Sequence, residues 1–199
     1  MLFKNRWEAG ERLAEILKER FAVKKDEFLI LSLLRGGWVV GKAIEEKFEV
    51  PHLPLPVAKI SSPLNPEYAI GALCFDKVFI HDRSFSKQEV EKATEAARQK
   101  FENYLKTFGL KEEDYRVVKG KRVFIVDDGV ATGSSVEAAA LFAKEKGAKK
   151  VVLAAPVAPA DLSLQNFDKE VILYKPHHFS AVSQFYEDFS PVEEISFTQ

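Results

Sequence analysis

Apolar residues along the chain form two kinds of pattern, and the two alternate. From 5 to 21, Trp7, Leu13, Ile16, Leu17 and Phe21 recur near helical spacing with charged residues between them, which predicts an amphipathic helix. Phe28-Leu29-Ile30-Leu31-Ser32-Leu33 then runs almost without a polar break, as a strand covered on both faces does. Gly36-Gly37 punctuates the chain, and 38–48 reads as a second helix. Leu53 to Ile60 reads as one further strand with prolines at its start, and SSPLNPE over 61–67 as a loop. Val78-Phe79-Ile80 is a short strand. The longest helical pattern covers 86–108, opened by Ser86 and Glu89 at capping-box spacing and stopped by Gly109. Arg122 to Val126 is a strand, 135–146 a helix ended by Gly147, and Val151 to Ala155 and Val171 to Tyr174 are two more strands.

Apolar strands separated by helices predict an α/β fold, a parallel sheet flanked by helices on both faces. Such sheets take ligands beyond the carboxyl ends of their strands, where the strand order reverses. Attention therefore falls on the residues just after Leu33, Ile60, Val126 and Ala155.

Composition narrows the classes. A length of 199 residues suits a single domain over 1–199, and 46% hydrophobic with 30% charged residues excludes a disordered chain. Lys and Arg number 29 against 30 Asp and Glu, so the basic excess expected of a nucleic-acid binder is missing. The single cysteine, Cys74, makes no internal disulfide and no metal cluster, which fits a reducing compartment. No apolar run approaches the ~20 residues of a membrane span, and the first residues lack the apolar stretch of a signal peptide. The expectation is a cytoplasmic protein with no membrane and no nucleic-acid partner.

The candidate chemistry lies after Val126, in Asp127-Asp128-Gly129-Val130-Ala131-Thr132-Gly133-Ser134-Ser135. Two carboxylates at the end of a buried strand are costly unless something satisfies them, and sugar hydroxyls or a cation would. Gly129 and Gly133 allow a tight turn, and Thr132, Ser134 and Ser135 bring hydroxyls. The next helix points its free N–H groups and positive end into the same loop, which suits an anion. An acidic half for a diol beside a donor-rich half for a monophosphate describes a site for ribose 5-phosphate. The plain alternative is an ordinary strand–turn–helix with Asp as the cap.

FIVDDGVATGSS resembles the 5-phosphoribosyl 1-pyrophosphate (PRPP) motif of type I phosphoribosyltransferases, with Ser135 where relatives often have Thr. The resemblance runs along most of the chain, from Phe3-Lys4-Asn5-Arg6 to Tyr186-Glu187-Asp188-Phe189, and points to a poorly characterised subgroup. It implies the type I phosphoribosyltransferase fold with a small hood, formed by 176–199 and the N-terminus, and a helical insertion over about 86–108. Asp127 and Asp128 would bind the ribose hydroxyls, Ala131, Thr132, Gly133, Ser134 and Ser135 would hold the 5-phosphate, and Gly129 would belong to the same PRPP site. Arg35, Gly36 and Gly37 would form the pyrophosphate loop, with Leu34 standing where many close relatives have proline. Lys59 would neutralise the leaving group, so Arg35, Lys59, Asp127 and Asp128 are the expected catalytic set.

The implied reaction displaces pyrophosphate from PRPP by a nitrogen acceptor, in particular a nucleobase. Phe185, Tyr186 or Phe189 would stack that base, a contact worth about 1–3 kcal/mol. Mg²⁺ would enter with PRPP rather than through a dense ligand cluster. His177-His178 offers no third ligand and is not read as a metal site. Homodimers are common in the family. The rival reading is a catalytically silent PRPP- or nucleotide-sensing regulator. Sequence leaves open the acceptor, the general base, the oligomeric state and the role of the 86–108 helix.

Overall fold

Asn5 caps helix α1 (Arg6–Arg20), its side chain accepting from the Glu8 N–H at 2.9 Å. Strand β1 (Phe28–Leu33) is buried throughout and leads into helix α2 (Gly36–Phe48). The computed structural model describes residues 2–193. Past α2 come β2 (His52–Leu55), β3 (Ala58–Ser61), β4 (Ala69–Cys74) and β5 (Lys77–Ile80). Helix α3 (Lys87–Phe108) follows, then a 3₁₀ turn over Glu112–Val118 and strand β6 (Arg122–Val126). Helix α4 (Ser134–Glu145), β7 (Lys150–Val157), β8 (Lys169–Tyr174) and a short 3₁₀ turn over Val182–Phe185 complete the described chain.

Five strands form a parallel sheet in the order β2-β1-β6-β7-β8. Its apolar runs are explained by cover on both sides. Phe28, Ile30, Phe124 and Val126 pack with Leu13 and Leu17 of α1 and Val40 and Ile44 of α2. Leu29, Leu31, Val123 and Ile125 pack on the opposite face with Ala139 and Phe142 of α4. The expected parallel α/β sheet flanked by helices is the one observed.

The prediction of one strand from Leu53 to Ile60 is corrected. The chain breaks at Pro56-Val57; β2 is an edge of the parallel sheet, while β3 starts a separate antiparallel sheet, β3-β4-β5. Proline at 54 and 56 cannot donate to a ladder, which confines it to edges and breaks. Sequence missed β4, because Ala69-Ile70-Gly71-Ala72-Leu73-Cys74 is poor in the β-branched and aromatic residues that mark strands. Helix α3 has the expected capping box, with Ser86 N–H donating to Glu89 Oε2 at 2.8 Å. It lies on β3 and β4 and buries Ala97 and Phe101. No helix among the described residues is long and apolar enough to cross a membrane.

The two ends of the described chain are tied together. Phe3 bridges Tyr186 in parallel fashion, and the Glu187 and Asp188 N–H groups donate to the Phe3 and Lys4 carbonyls at 2.8 and 2.9 Å. Phe3, Phe185 and Tyr186 form a small apolar cluster there. Of the segment 176–199 expected to form a hood, 194–199 lie outside the described residues.

Candidate functional site

The chain leaves β1 toward β2 on one side and later fills β6, β7 and β8 on the other, so the strand order reverses between β1 and β6. That reversal opens a crevice at the carboxyl ends of the two strands. The segment after β1 is Leu34-Arg35-Gly36-Gly37, with a cis peptide between Leu34 and Arg35, and the segment after β6 is Asp127-Asp128. The two approach so closely that a Cβ on Gly36 would lie 1.9 Å from Asp128 Oδ2. Only glycine permits that approach.

A cleft of about 900 Å³ lies over this junction. Its walls include Arg35, Gly36, Lys59, Asp127, Asp128 and Gly129. The turn supplies Ala131, Thr132, Gly133, Ser134 and Ser135 to the same space. Sequence reasoning therefore named residues that the fold gathers from β1, β3, β6 and α4 into one cavity. Gly37 is the exception in this group. It packs beneath the cleft, where a Cβ would meet the Val126 carbonyl oxygen at 2.7 Å.

The acids carry the electrostatic tension of the site. Loss of water, followed by repulsion from Asp128, pushes the Asp127 carboxyl well above the ordinary aspartate range, against which the Lys59 charge works. Burial also raises Asp128, opposed chiefly by Arg6, whose Nε donates to Asp128 Oδ2 at 2.7 Å. The Asp128 N–H donates to Asp127 Oδ1 at 2.9 Å. Below the acids, the Tyr186 hydroxyl donates to the Asp128 carbonyl at 2.6 Å and fixes the turn. At the far end Ser134 begins α4, so the helix presents its N-terminal N–H groups to the cleft.

The expectation that Phe185 or Tyr186 stacks an acceptor is not met. Neither lines the cleft; both are buried with Phe3, and the Tyr186 hydroxyl is spent on the Asp128 backbone. Phe189 does reach the cleft, but its ring carries the Arg6 guanidinium 3.8 Å from its centroid. Arg6 also donates through Nη1 to the Ser190 carbonyl at 2.8 Å.

Four contributors escaped the sequence reading. Arg6 is the first residue of α1 and carried no local signal beyond its charge. Lys100 and Tyr104 of α3 line the cleft; their i, i+4 spacing puts them on one helix face, which an amphipathic reading of 86–108 could have flagged. His81 follows β5, and its Nδ1 lies 2.6 Å from Ser134 Oγ; an isolated histidine gives no sequence clue to such a partner.

Among the described residues, no three His, Cys, Asp or Glu side chains are grouped to hold a metal. Asp127 and Asp128, both at the cleft, are the carboxylates that would help hold a Mg²⁺ ion, which takes oxygen ligands and needs few of them from protein.

Comparison with known proteins agrees with this geometry. A family model for the phosphoribosyl transferase domain matches residues 4–190. Two Mycobacterium tuberculosis proteins, from strains CDC 1551 and H37Rv and provisionally named phosphoribosyl transferases, are each 32% identical over 97% of this chain. The chain spans 45% of the length of these curated relatives. The crystal structure of TT1426 from Thermus thermophilus is 30% identical, with a TM-score of 0.68 over 97% of this chain and 94% of that one. A purine phosphoribosyltransferase from Pyrococcus horikoshii shares the fold at 18% identity, with a TM-score of 0.52 over 97% and 98% of the two chains. With the cleft at the strand reversal and the family model spanning nearly all of its length, the chain belongs to the phosphoribosyl transferase domain family.

Proposed function

We propose that this domain transfers the 5-phosphoribosyl group of PRPP to a nitrogen acceptor, a nucleobase in the first instance, and releases pyrophosphate. The observation that carries this reading is the convergence of two acids, a hydroxyl-rich turn at a helix N-terminus and two cations, Arg35 and Lys59, on one cleft. Asp127 and Asp128 accept from the ribose hydroxyls, so the ring is held by groups that otherwise repel each other. Thr132, Ser134, Ser135 and the N-terminal N–H groups of α4 receive the 5-phosphate. The bond from C1 to the pyrophosphate oxygen breaks as the bond from the acceptor nitrogen to C1 forms, through an oxocarbenium-like transition state, and the proton of that nitrogen passes to solvent. Negative charge then gathers on the leaving group, where Lys59, Arg35 and the backbone of the Arg35–Gly37 loop stabilise it. A Mg²⁺ ion bound with the diphosphate would add Lewis-acid stabilisation of the same charge. The acids thus position, and the cations carry the electrostatic part of the barrier.

The test is turnover. Incubation with PRPP, Mg²⁺ and a panel of nucleobases should release pyrophosphate with one base and not with the others. PRPP binding with no release over any base would instead make the domain a PRPP sensor. Absence of PRPP binding would remove the site assignment altogether.

A further inference from the structure

Ser134 is the first residue of α4 and is 3% exposed, yet it lines the cleft where a phosphate would sit. His81 Nδ1 stands 2.6 Å from its hydroxyl, at the end of β5 on the other sheet. His81 is not itself part of the cleft wall. A hydroxyl has one proton to give. If Ser134 gives it to the imidazole, none remains for an anion in the cleft. If His81 donates from Nδ1, Ser134 accepts and its proton is free to point at the cleft.

We propose, on the reading of the site given above, that His81 is a positioning residue for the sugar phosphate: in its protonated form it turns the Ser134 hydroxyl toward the phosphate and adds positive charge behind it, so phosphosugar binding takes up a proton at His81. The surroundings fit such a device. Burial lowers the His81 pKa below its usual value, opposed by the charge of Asp82. Tyr68 faces the other side of the ring, its hydroxyl 3.4 Å from Nε2 and also bonded to Asp82. The positive end of α4 works against protonation in the empty loop. A bound phosphate dianion cancels that field and favours the imidazolium. The sign follows: ligand binding raises the histidine pKa, so affinity gained through His81 increases as pH falls through that range.

The experiment is calorimetric titration of the full chain with ribose 5-phosphate at about pH 8 and about pH 6, in buffers of differing ionisation enthalpy so that proton uptake is counted. His81→Asn keeps a hydrogen-bonding group near the Nδ1 position but cannot take a charge; His81→Leu keeps neither. Near pH 8, where the parent's imidazole is uncharged, the Asn and Leu variants should both bind within about 2-fold of the parent. Near pH 6 both should fall about 10-fold below the parent, and their proton uptake should be smaller. The ligand's own phosphate titrates equally in all three, so the difference belongs to residue 81. Equal proton uptake and equal pH dependence in parent and Asn variant would overturn the role of His81 and leave the cleft assignment standing. Failure of ribose 5-phosphate to bind the parent would overturn both.

Discussion

Ser32, His52 and Glu45 stand in the order of a nucleophile, base and acid, with Ser32 Oγ 2.7 Å from His52 Nε2 and His52 Nδ1 2.9 Å from Glu45 Oε2. Asp127 and Asp128, on the neighbouring segment of the same sheet, form no such array. By distances alone the first cluster is the better active site. It is sealed, however. Ser32 and the His52 side chain are 0% exposed, Trp38 stacks on the imidazole at 4.0 Å, and neither Ser32 nor His52 lines the cleft. The α2 backbone closes the top: a Cβ on Gly41 would lie 1.9 Å from Ser32 Oγ. A nucleophile needs space for the atom it attacks, and here there is none. Burial keeps His52 less basic than usual against the pull of Glu45, whose own pKa is lowered first by its bond to His52. The cluster is satisfied polar glue between β1, β2 and α2, whereas the acids carry raised pKa values at the edge of open space. Access and unrelieved charge separate a site from a brace, and hydrogen-bond geometry does not.

The largest expected effect lies at the acids. Asp127→Asn with Asp128→Asn removes the two charge-assisted acceptors proposed for the ribose, together about 4 kcal/mol or roughly 1,000-fold in PRPP affinity. Calorimetry should show that loss while circular dichroism shows an unchanged fold. Unchanged PRPP affinity would erase the distinction between site and brace.

The brace should answer in the opposite way. His52→Ala leaves Ser32 and Glu45 without the imidazole and opens a void beside Trp38, costing about 3 kcal/mol, or roughly 6–12 °C in Tm for a domain of this size. PRPP affinity of the folded protein should stay within error. His52 has a pH signature as well. The unfolded chain takes up a proton on His52 at higher pH than the folded one does, so this contribution is full above about pH 6.5 and is lost as pH falls toward the lowered folded value. His52→Gln should flatten that slope in thermal melts followed against pH.

Asp127→Asn alone joins the two comparisons. A carboxyl whose folded pKa is raised costs stability once pH exceeds its unfolded value, and the cost grows as pH rises toward the folded value, above which it is complete. Removing the charge should therefore raise Tm at neutral pH by about 2–4 °C, equivalent to about 1 kcal/mol, while weakening PRPP binding. The Asn oxygen can still accept from the Asp128 N–H, so the turn is preserved. A lower Tm in this variant would mean that the acid is a structural fixture rather than a strained ligand.

How much of this was legible in sequence follows from which forces act locally. The parallel sheet was readable because Phe28–Leu33 and Arg122–Val126 are covered on both faces, which leaves apolar runs in the sequence. The acid and hydroxyl turn was readable because one contiguous loop holds it. Strand β4 was not, since its burial comes from α4 and from β3 and β5 on either side, not from its own residue types. Arg6 and Asp128 are separated by 122 positions, and His81 and Ser134 by 53; no spacing rule reaches that far. The aromatic tail misled because Phe185 and Tyr186 have the composition of a stacking surface, and only tertiary structure shows that Phe3 occupies them.

Phe189 supplies the smallest and most discriminating case. It alone of the three proposed aromatics reaches the cleft, yet Arg6 lies over its ring and Tyr186 packs against it at 5.0 Å. A ring committed in this way is linked to the acids through Arg6, which bonds Asp128. Phe189→Leu keeps apolar bulk and removes the cation–π contact, worth about 0.5–1 kcal/mol at a partly exposed site. Arg6 then holds Asp128 less firmly, and PRPP affinity should change by roughly 2–5-fold with little change in the acceptor KM. If the acceptor KM rises instead and PRPP affinity holds, the ring stacks the acceptor after all, and Arg6 must leave its face during turnover.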